Sequence, residues 1–144
     1  NLYGQNDNFD LKTSHVLPAM IRKFHDAKIQ NIPHVKLWGT GTPMREFLHV
    51  NDLANAVLFS INKKLKYSLY NVGSSKEISI QDLANLIKQI IGYKGELIWD
   101  INMPDGTPRK IMDSSRFINL GWSANYSLKN GIKETYKWYC NNKK

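Results

Sequence analysis

Cysteine is almost absent from this sequence, and long apolar runs are missing altogether. Cys140 is the only cysteine among 144 residues, which excludes an intramolecular disulfide and a cysteine-rich metal site and indicates a reducing, cytoplasmic setting. No apolar run approaches the roughly 18 residues that a membrane-spanning helix needs. The N-terminus has neither the basic region nor the apolar core of a signal peptide, and it lacks an initiator Met. We therefore expect a fragment of a longer protein, without a membrane partner.

Acidic residues are also scarce relative to basic ones. Twelve Asp and Glu against 20 Lys and Arg give a net charge of +8. Such a charge suits nucleic acid, a membrane surface or a small polyanion such as a nucleotide diphosphate. Nucleic-acid binders usually cluster their cations with aromatic residues, whereas here the cations are spread along the chain. We therefore expect no nucleic-acid partner, and the 42% hydrophobic content fits one folded domain.

Strand and helix patterns alternate along the chain, which predicts an α/β fold. Residues 1–13 are polar and typical of a loop. The apolar periodicity predicts helices with N-caps at Ser14, Ser79 and Ser127, and one that Asp52 caps or begins. The helices are expected over 15–28, 52–61, 80–91, 113–120 and 128–139, and the strands over 34–38, 46–50, 67–72 and 96–100.

The most informative run is WGTGTPMREFLHVND, residues 38–52. An aromatic and a guanidinium, Trp38 and Arg45, stand at the two ends of a Gly-rich turn and can hold a flat ring and an anion together, as a nucleotide site requires. A second block, PDGTPRK, residues 104–110, joins a surface turn to two cations. No G-x-G-x-x-G follows a strand, so the chain has no complete dinucleotide-binding motif.

Taken together, the two blocks resemble the extended short-chain dehydrogenase/reductases that act on nucleotide sugars, and within them the GDP-L-fucose synthase family. The resemblance extends from Asn1-Leu2-Tyr3-Gly4 to the helix around Trp138. It implies the C-terminal substrate-binding portion of a Rossmann-type parent. Residues 1–144 would form the substrate-binding domain, with a short remnant of the cofactor domain at 1–13 and the N-terminal NADP-binding domain absent. The tyrosine–lysine pair of the family would then lie before Asn1, and the chain alone should be inactive.

The resemblance also assigns roles to individual residues. His15 matches the catalytic histidine, an acid in epimerisation that also touches the cofactor, and the dipole at a helix N-terminus would help it to give up a proton. Asn1 and Leu2 would contact NADP(H). Lys23, Trp38, Arg45, Asp105 and Lys110 would hold the GDP-sugar. From the pattern alone, His15 could be merely exposed, Asn1 and Leu2 a polar turn, Trp38 a core residue and Lys23 a solvated surface residue.

The remaining histidines, tryptophans and Cys140 match no site. We expect His25 on a helix surface, and His34 and His49 as ordinary strand residues. Cys140 is read as structural. The other tryptophans are expected in the core or in helix packing; they are Trp99, Trp122 and Trp138.

The activity that the resemblance implies is conversion of GDP-4-keto-6-deoxy-D-mannose to GDP-L-fucose. Epimerisation at C3 and C5 would precede an NADPH-dependent reduction at C4, and the parent would be a homodimer. Another nucleotide-sugar 4-epimerase or dehydratase of the same family is the alternative among enzymes. A non-catalytic basic module would instead bind unrelated polyanions without preference for guanine and with strong salt dependence. A folded remnant with a purely structural role would bind no ligand.

Overall fold

A computed structural model describes residues 1–61 and 63–142. Within them, α-helices and short strands alternate, and two strand pairs are purely parallel, which confirms the predicted α/β class. The helices are α1 (Val16–Ile29), α2 (Val50–Ile61), α3 (Ile80–Ile91), α4 (Ser115–Ile118) and α5 (Leu128–Asn142). The strands are β1 (Leu2–Tyr3), β2 (His34–Trp38), β3 (Met44–Glu46), β4 (Leu48–His49), β5 (Glu77–Ser79), β6 (Glu96–Asp100) and β7 (Arg109–Lys110).

The strands form three small sheets. β1 pairs in parallel with β4, and β2 pairs in parallel with β6 along its whole length, from His34 opposite Glu96 to Trp38 opposite Asp100. In the third sheet β3 is central, antiparallel to β5 and parallel to β7. This arrangement places the Arg45 segment between two chain segments that are distant from it in sequence.

The main core lies where α1, α3 and α5 pack together. Ile21, Phe24, Leu83, Ile87 and Ile132 are all fully buried there. A second, smaller cluster joins β4 and α2 to α4; its buried members are Leu48, Ala56, Phe117 and Trp122. In the part of the chain that is described, no helix is long and apolar enough to cross a membrane.

Several elements have the predicted bounds because their signals are local. β2 and β6 occupy the predicted residues. The Ser79 hydroxyl accepts a hydrogen bond from the Asp82 amide at 2.9 Å, and Gly92 ends α3 in the left-handed conformation with φ 73°. The Ser127 hydroxyl likewise accepts from the Asn130 amide at 3.3 Å at the start of α5.

The predictions near the N-terminus were wrong in two places. Leu2–Tyr3 is not loop but strand β1, because Leu48–His49 supplies a parallel partner that is 46 residues away. Ser14 is not the N-cap of α1. His15 takes that position, with extended backbone and no capping bond from its side chain. The Ser14 hydroxyl is instead buried without a hydrogen-bond partner among the described residues.

Three further elements differ from prediction because tertiary contacts override local pattern. The strand expected over 46–50 is divided between β3 and β4, and α2 begins at Val50, so Asp52 neither caps nor begins it. No strand forms over 67–72, where the Tyr70 hydroxyl accepts hydrogen bonds from the Lys66 and Tyr67 amides. Finally, the helix expected over 113–120 covers only Ser115–Ile118.

Candidate functional site

A cavity of about 270 Å³ opens between α1 and the end of β2. Its walls include Met20 and Lys23 from α1, Leu37 and Trp38 from β2, and Ile80 at the start of α3. Trp38 is 63% exposed at the end of β2, a strand on which only Val35 and Leu37 are buried. An indole this exposed at the mouth of a cavity is available to a ligand, so the core reading of Trp38 does not hold.

Lys23 lies in the wall of this cavity and is not a solvated surface lysine. Its side chain is half-buried, and Nζ donates a hydrogen bond to the Lys36 carbonyl at 3.3 Å. Burial lowers the pKa of the Lys23 amine below its usual value. A half-buried ammonium in the wall of a cavity is stabilised by an anionic ligand, because the ligand's charge compensates for the hydration that burial removes.

The Gly-rich turn after Trp38 is held by Asp105. Gly39 and Gly41 have φ angles of 74° and 78°, which side-chain-bearing residues rarely adopt. The Asp105 carboxylate accepts hydrogen bonds from the Thr40 amide at 2.6 Å and from the Thr40 hydroxyl at 2.8 Å. Asp105 therefore joins the two sequence blocks, and its predicted contact with substrate stays a prediction.

Arg45 and Lys110 are brought side by side by the register of β3 and β7. The Arg45 Nη1 donates to its neighbour's carbonyl, that of Met44, at 2.8 Å. Its Nη2 lies close to Gly106, 3.7 Å from where a Cβ would be. Among the described residues neither cation is in an ion pair, whereas the adjacent Arg109 is bound to Glu77 at 2.8 Å. Two cations on neighbouring strands, neither in an ion pair among the described residues, have the charge that a doubly charged anion requires, and their predicted contact with substrate stays a prediction.

His15 stands at the start of α1, exposed, and leaves its ring free of helix capping. Ser14 and Val16, on either side of it, both line the Trp38 cavity. Burial raises the pKa of the nearby Asp7 carboxyl, and the positive charge of His15 partly counteracts this increase. His15 itself is not among the residues that line the cavity, and it precedes Lys23 by about two helix turns.

Leu2 lies on β1 and Asn1 directly precedes it. Burial lowers the pKa of the Asn1 amino group, and Lys110 is close enough for its charge to lower that pKa as well. The Asn1 amino group and Nδ2 both donate to the Glu46 carbonyl at 2.9 Å, and Leu2 is 48% exposed. Parallel strands bind nucleotide cofactors at their carboxyl ends. The carboxyl end of β1 leads directly into the 4–15 segment, which ends at His15.

Sequence reasoning missed three buried polar residues, Glu46, His49 and Asp52, which are at most 3% exposed. The Asp52 carboxylate accepts from the Asn125 and Tyr126 amides at 2.9 and 3.0 Å. His49 lies on strand β4, as predicted, and its buried ring stacks on Tyr126 at 4.0 Å between centroids. A charged residue within an apolar strand, as in REFLHV, is the available signal for such burial.

The prediction that His25 lies on a helix surface was wrong, because its side chain is only 8% exposed. It packs between α1 and α5, with Nδ1 3.1 Å from the Tyr136 hydroxyl. Cys140 is exposed, with its Sγ 3.9 Å from that same nitrogen. The described residues hold no group of three or more potential metal ligands.

One tyrosine–lysine pair with three residues between them does occur, Tyr139 and Lys143. Tyr139 is only 5% exposed and packs against Phe9, with ring centroids 4.6 Å apart. Lys143 lies outside the described residues. Tyr139 belongs to the main core and is not among the residues that line the cavity beside Trp38.

Comparison with known proteins places this geometry in a family. Residues 1–73 match the model of the NAD dependent epimerase/dehydratase family. The chain is 54% identical over 142 residues to "Putative GDP-L-fucose synthase 2" of Arabidopsis thaliana, covering 99% of this chain and 43% of that protein. It is 45% identical over 151 residues to the GDP-L-fucose synthase of Escherichia coli K12, covering 99% of this chain and 47% of that protein.

Solved structures agree with this assignment. A GDP-L-fucose synthetase from Naegleria fowleri bound to NADP superposes with a TM-score of 0.91 at 29% identity, covering 99% of this chain and 45% of that one. The chain thus spans less than half the length of each of these relatives. The matches to the two GDP-L-fucose synthases and to the Naegleria fowleri structure each cover 99% of the chain. The chain belongs to the NAD dependent epimerase/dehydratase family.

Proposed function

We propose that this chain is the GDP-sugar-binding part of an enzyme that converts GDP-4-keto-6-deoxy-D-mannose to GDP-L-fucose. The observation on which the proposal rests is the pairing of Arg45 with Lys110 across β3 and β7, at the end of a Gly-rich turn that begins at the exposed Trp38. The similarity to GDP-L-fucose synthases supports the same reading.

The chemistry of the site fits each part of such a ligand. The diphosphate would lie between the uncompensated Arg45 and Lys110, because a guanidinium presents paired donors to phosphate oxygens. The indole of Trp38 would pack against a flat or apolar part of the ligand, with Lys23 as a further cation in the same cavity. Asp105 would act through the Thr40 turn that it holds, or directly on a sugar hydroxyl.

His15 would serve as the acid of epimerisation. Its exposed ring at the N-cap of α1 could return a proton to a sugar carbon next to the C4 carbonyl. The cofactor NADP(H), when bound, would supply the hydride that reduces this carbonyl. Asn1, Leu2 and His15 would border it at the carboxyl end of β1, which suits the general position of nucleotides on parallel strands.

The NADP-binding half of the enzyme would pack on β1, β4 and α2. Among the described residues no third strand joins the β1–β4 pair, and α2 exposes Val57, Leu58 and Ile61 by 54%, 62% and 70%. An apolar helix face beside an unfinished parallel sheet fits burial by further α/β structure. The cofactor domain would then contribute only residues 1–13 to this chain, the complete enzyme would be a homodimer in the cytoplasm, and this chain alone would be inactive.

A calorimetric titration tests the proposal. The folded chain is titrated with GDP-mannose and with UDP-glucose at two salt concentrations. We expect preference for the guanine ligand and its loss in Arg45→Ala. The control is Arg116→Ala, which removes the same charge from an exposed arginine that packs on Tyr67. Equal binding of both ligands that falls steeply with salt would contradict the proposal and favour a basic binding module without catalysis.

A preference for the uracil ligand would instead favour a UDP-sugar 4-epimerase or a dehydratase of the same family. Activity separates the remaining alternatives once a dinucleotide-binding half is supplied. The proposed enzyme consumes one NADPH for each product molecule, whereas a 4-epimerase or a dehydratase consumes none. Full activity of a His15→Ala variant in that assay would exclude His15 as the acid.

A further inference from the structure

Glu46 is a buried carboxylate without a paired cation, next in sequence to Arg45. Its side chain is 3% exposed on the central strand β3, and none of the ion pairs formed within residues 1–61 and 63–142 involves it. Carboxylates are seldom buried to this extent unless other groups satisfy their oxygens. The hydrogen bonds that the Glu46 carboxylate accepts therefore indicate its role in the structure.

Both carboxylate oxygens accept backbone N–H groups from segments outside β3. Oε1 accepts from the Ser75 amide at 2.6 Å, and Oε2 accepts from the Met112 amide at 3.3 Å. Ser75 precedes β5, whereas Met112 follows β7. One side chain on the central strand thereby joins the chain segments that flank both outer strands.

The surroundings of Glu46 are shaped for this contact. A Cβ at Gly73 would lie 2.5 Å from Oε1, so only glycine fits there without displacing the carboxylate. Ser75 has φ 57°, a left-handed conformation that is unfavourable for serine. Its short bond to Glu46 stabilises that conformation and thus fixes the loop over residues 73–76.

We propose that Glu46 is a positioning residue for the diphosphate site. By holding the Met112 amide it fixes the end of β7, and so it sets the separation between Arg45 on its own strand and Lys110 on the next. This inference rests on the proposed function, since it concerns the same two cations and a nucleoside diphosphate as their ligand.

For removal of the Glu46 charge, electrostatics alone and a positioning role predict opposite changes in diphosphate affinity. A negative charge beside two cations weakens their attraction for an anion. If Glu46 had no other role, its removal would leave binding of a diphosphate unchanged or make it tighter. If it positions the cations, its removal weakens binding although the net charge becomes more favourable.

The test uses the 144-residue chain with GDP as the probe. Glu46→Gln places an amide NH₂ against one of the two backbone N–H donors, and it removes one negative charge. We expect GDP affinity to fall by about tenfold, as for the loss of one hydrogen bond to a charged group. The matched control Glu96→Gln removes the same charge from an exposed position on β6 and should leave affinity unchanged.

Two additional measurements make the outcome decisive. In amide NMR spectra without ligand, Glu46→Gln should shift the Ser75, Met112 and Lys110 resonances, whereas Glu96→Gln should not. Gly73→Ala displaces the carboxylate without changing charge, so it should also weaken GDP binding, and it replaces Glu46→Gln if that variant does not fold.

Unchanged or tighter GDP binding by folded Glu46→Gln would overturn the inference. Failure of the unsubstituted chain to bind GDP would count against the proposed function instead. The NMR spectra then decide the positioning role alone: a shifted Lys110 amide in Glu46→Gln supports it, and an unshifted one refutes it.

Discussion

Asp52 offers the clearest test of how a buried charge stabilises this fold. Its side chain is 1% exposed on the first turn of α2, and its two oxygens accept from the Asn125 and Tyr126 amides at 2.9 and 3.0 Å. Asp52→Ala would leave two partly buried N–H donors without their charged acceptor. Each such donor costs about 1–3 kcal/mol, so we expect a loss of about 2–6 kcal/mol in the free energy of unfolding.

The substitution series refines this expectation. Asp52→Asn keeps one acceptor oxygen, so it should lose about half as much, roughly 1–3 kcal/mol. Glu96→Gln makes the same charge change at an exposed site and should stay within about 0.5 kcal/mol. Since a domain has only about 5–15 kcal/mol of stability, Asp52→Ala should remove a large and measurable fraction of it.

Urea unfolding measured by tryptophan fluorescence checks these values, because Trp122 lies buried in the cluster beside α2. The midpoint should fall from the original chain to Asp52→Asn and further to Asp52→Ala, with the dependence on urea unchanged. Hydrogen exchange at the Asn125 and Tyr126 amides should accelerate in the same order. A loss below about 0.5 kcal/mol in Asp52→Ala, similar to a surface substitution, would refute the reasoning.

Other predictions follow from the buried histidine and from the Gly-rich turn. Burial lowers the pKa of His49, so the folded state disfavours its protonation. The stabilisation that the neutral imidazole contributes should be fully present above pH 6.5 and should decrease as the pH falls below that value. The melting temperature measured from pH 8 to pH 5 checks this expectation. His49→Gln should remove this component of the pH dependence. If the melting temperature of His49→Gln varied with pH as that of the original chain does, the role of His49 would be contradicted. Gly39→Ala combines φ 74° with a Cβ that would overlap the Asp105 carboxylate, so it should weaken GDP binding, whereas Gly121→Ala, where a Cβ meets nothing, should not. Equal effects of the two alanines would show that the Asp105 contact does not matter to the site.

Local signals in the sequence were sufficient for the elements that are stabilised locally. The Ser79 cap and Gly92 bound α3, and the alternation in HVKLW identifies β2, because each depends on residues within a few positions. The same logic failed at Leu2–Tyr3, whose strand exists only because β4 lies beside it. It failed again over 67–72, where an apolar alternating run has no neighbouring strand and Tyr70 binds the backbone instead.

In the candidate site, too, local sequence signals indicate individual residues but not the long-range contacts between them. Two short blocks and the family resemblance that they carry predict Trp38, Arg45 and Lys110 as ligand-binding residues, and this role stays a prediction. Their arrangement could not be predicted, because the register of β3 and β7 joins positions 65 residues apart. Glu46 was missed for a related reason: a glutamate on a strand is ordinarily exposed, and only the approach of Ser75 and Met112 makes this one a buried acceptor.

The central claim, a GDP-sugar site at Trp38 and Arg45, is tested most directly by the ¹H–¹⁵N spectrum of the chain during titration with GDP-mannose. The exposed Trp38 indole N–H and the Arg45 resonances should shift saturably, while the buried Trp122 indole stays unchanged as an internal reference. Small shifts distributed over exposed lysines, abolished by moderate salt and leaving the Trp38 indole unmoved, would contradict the account.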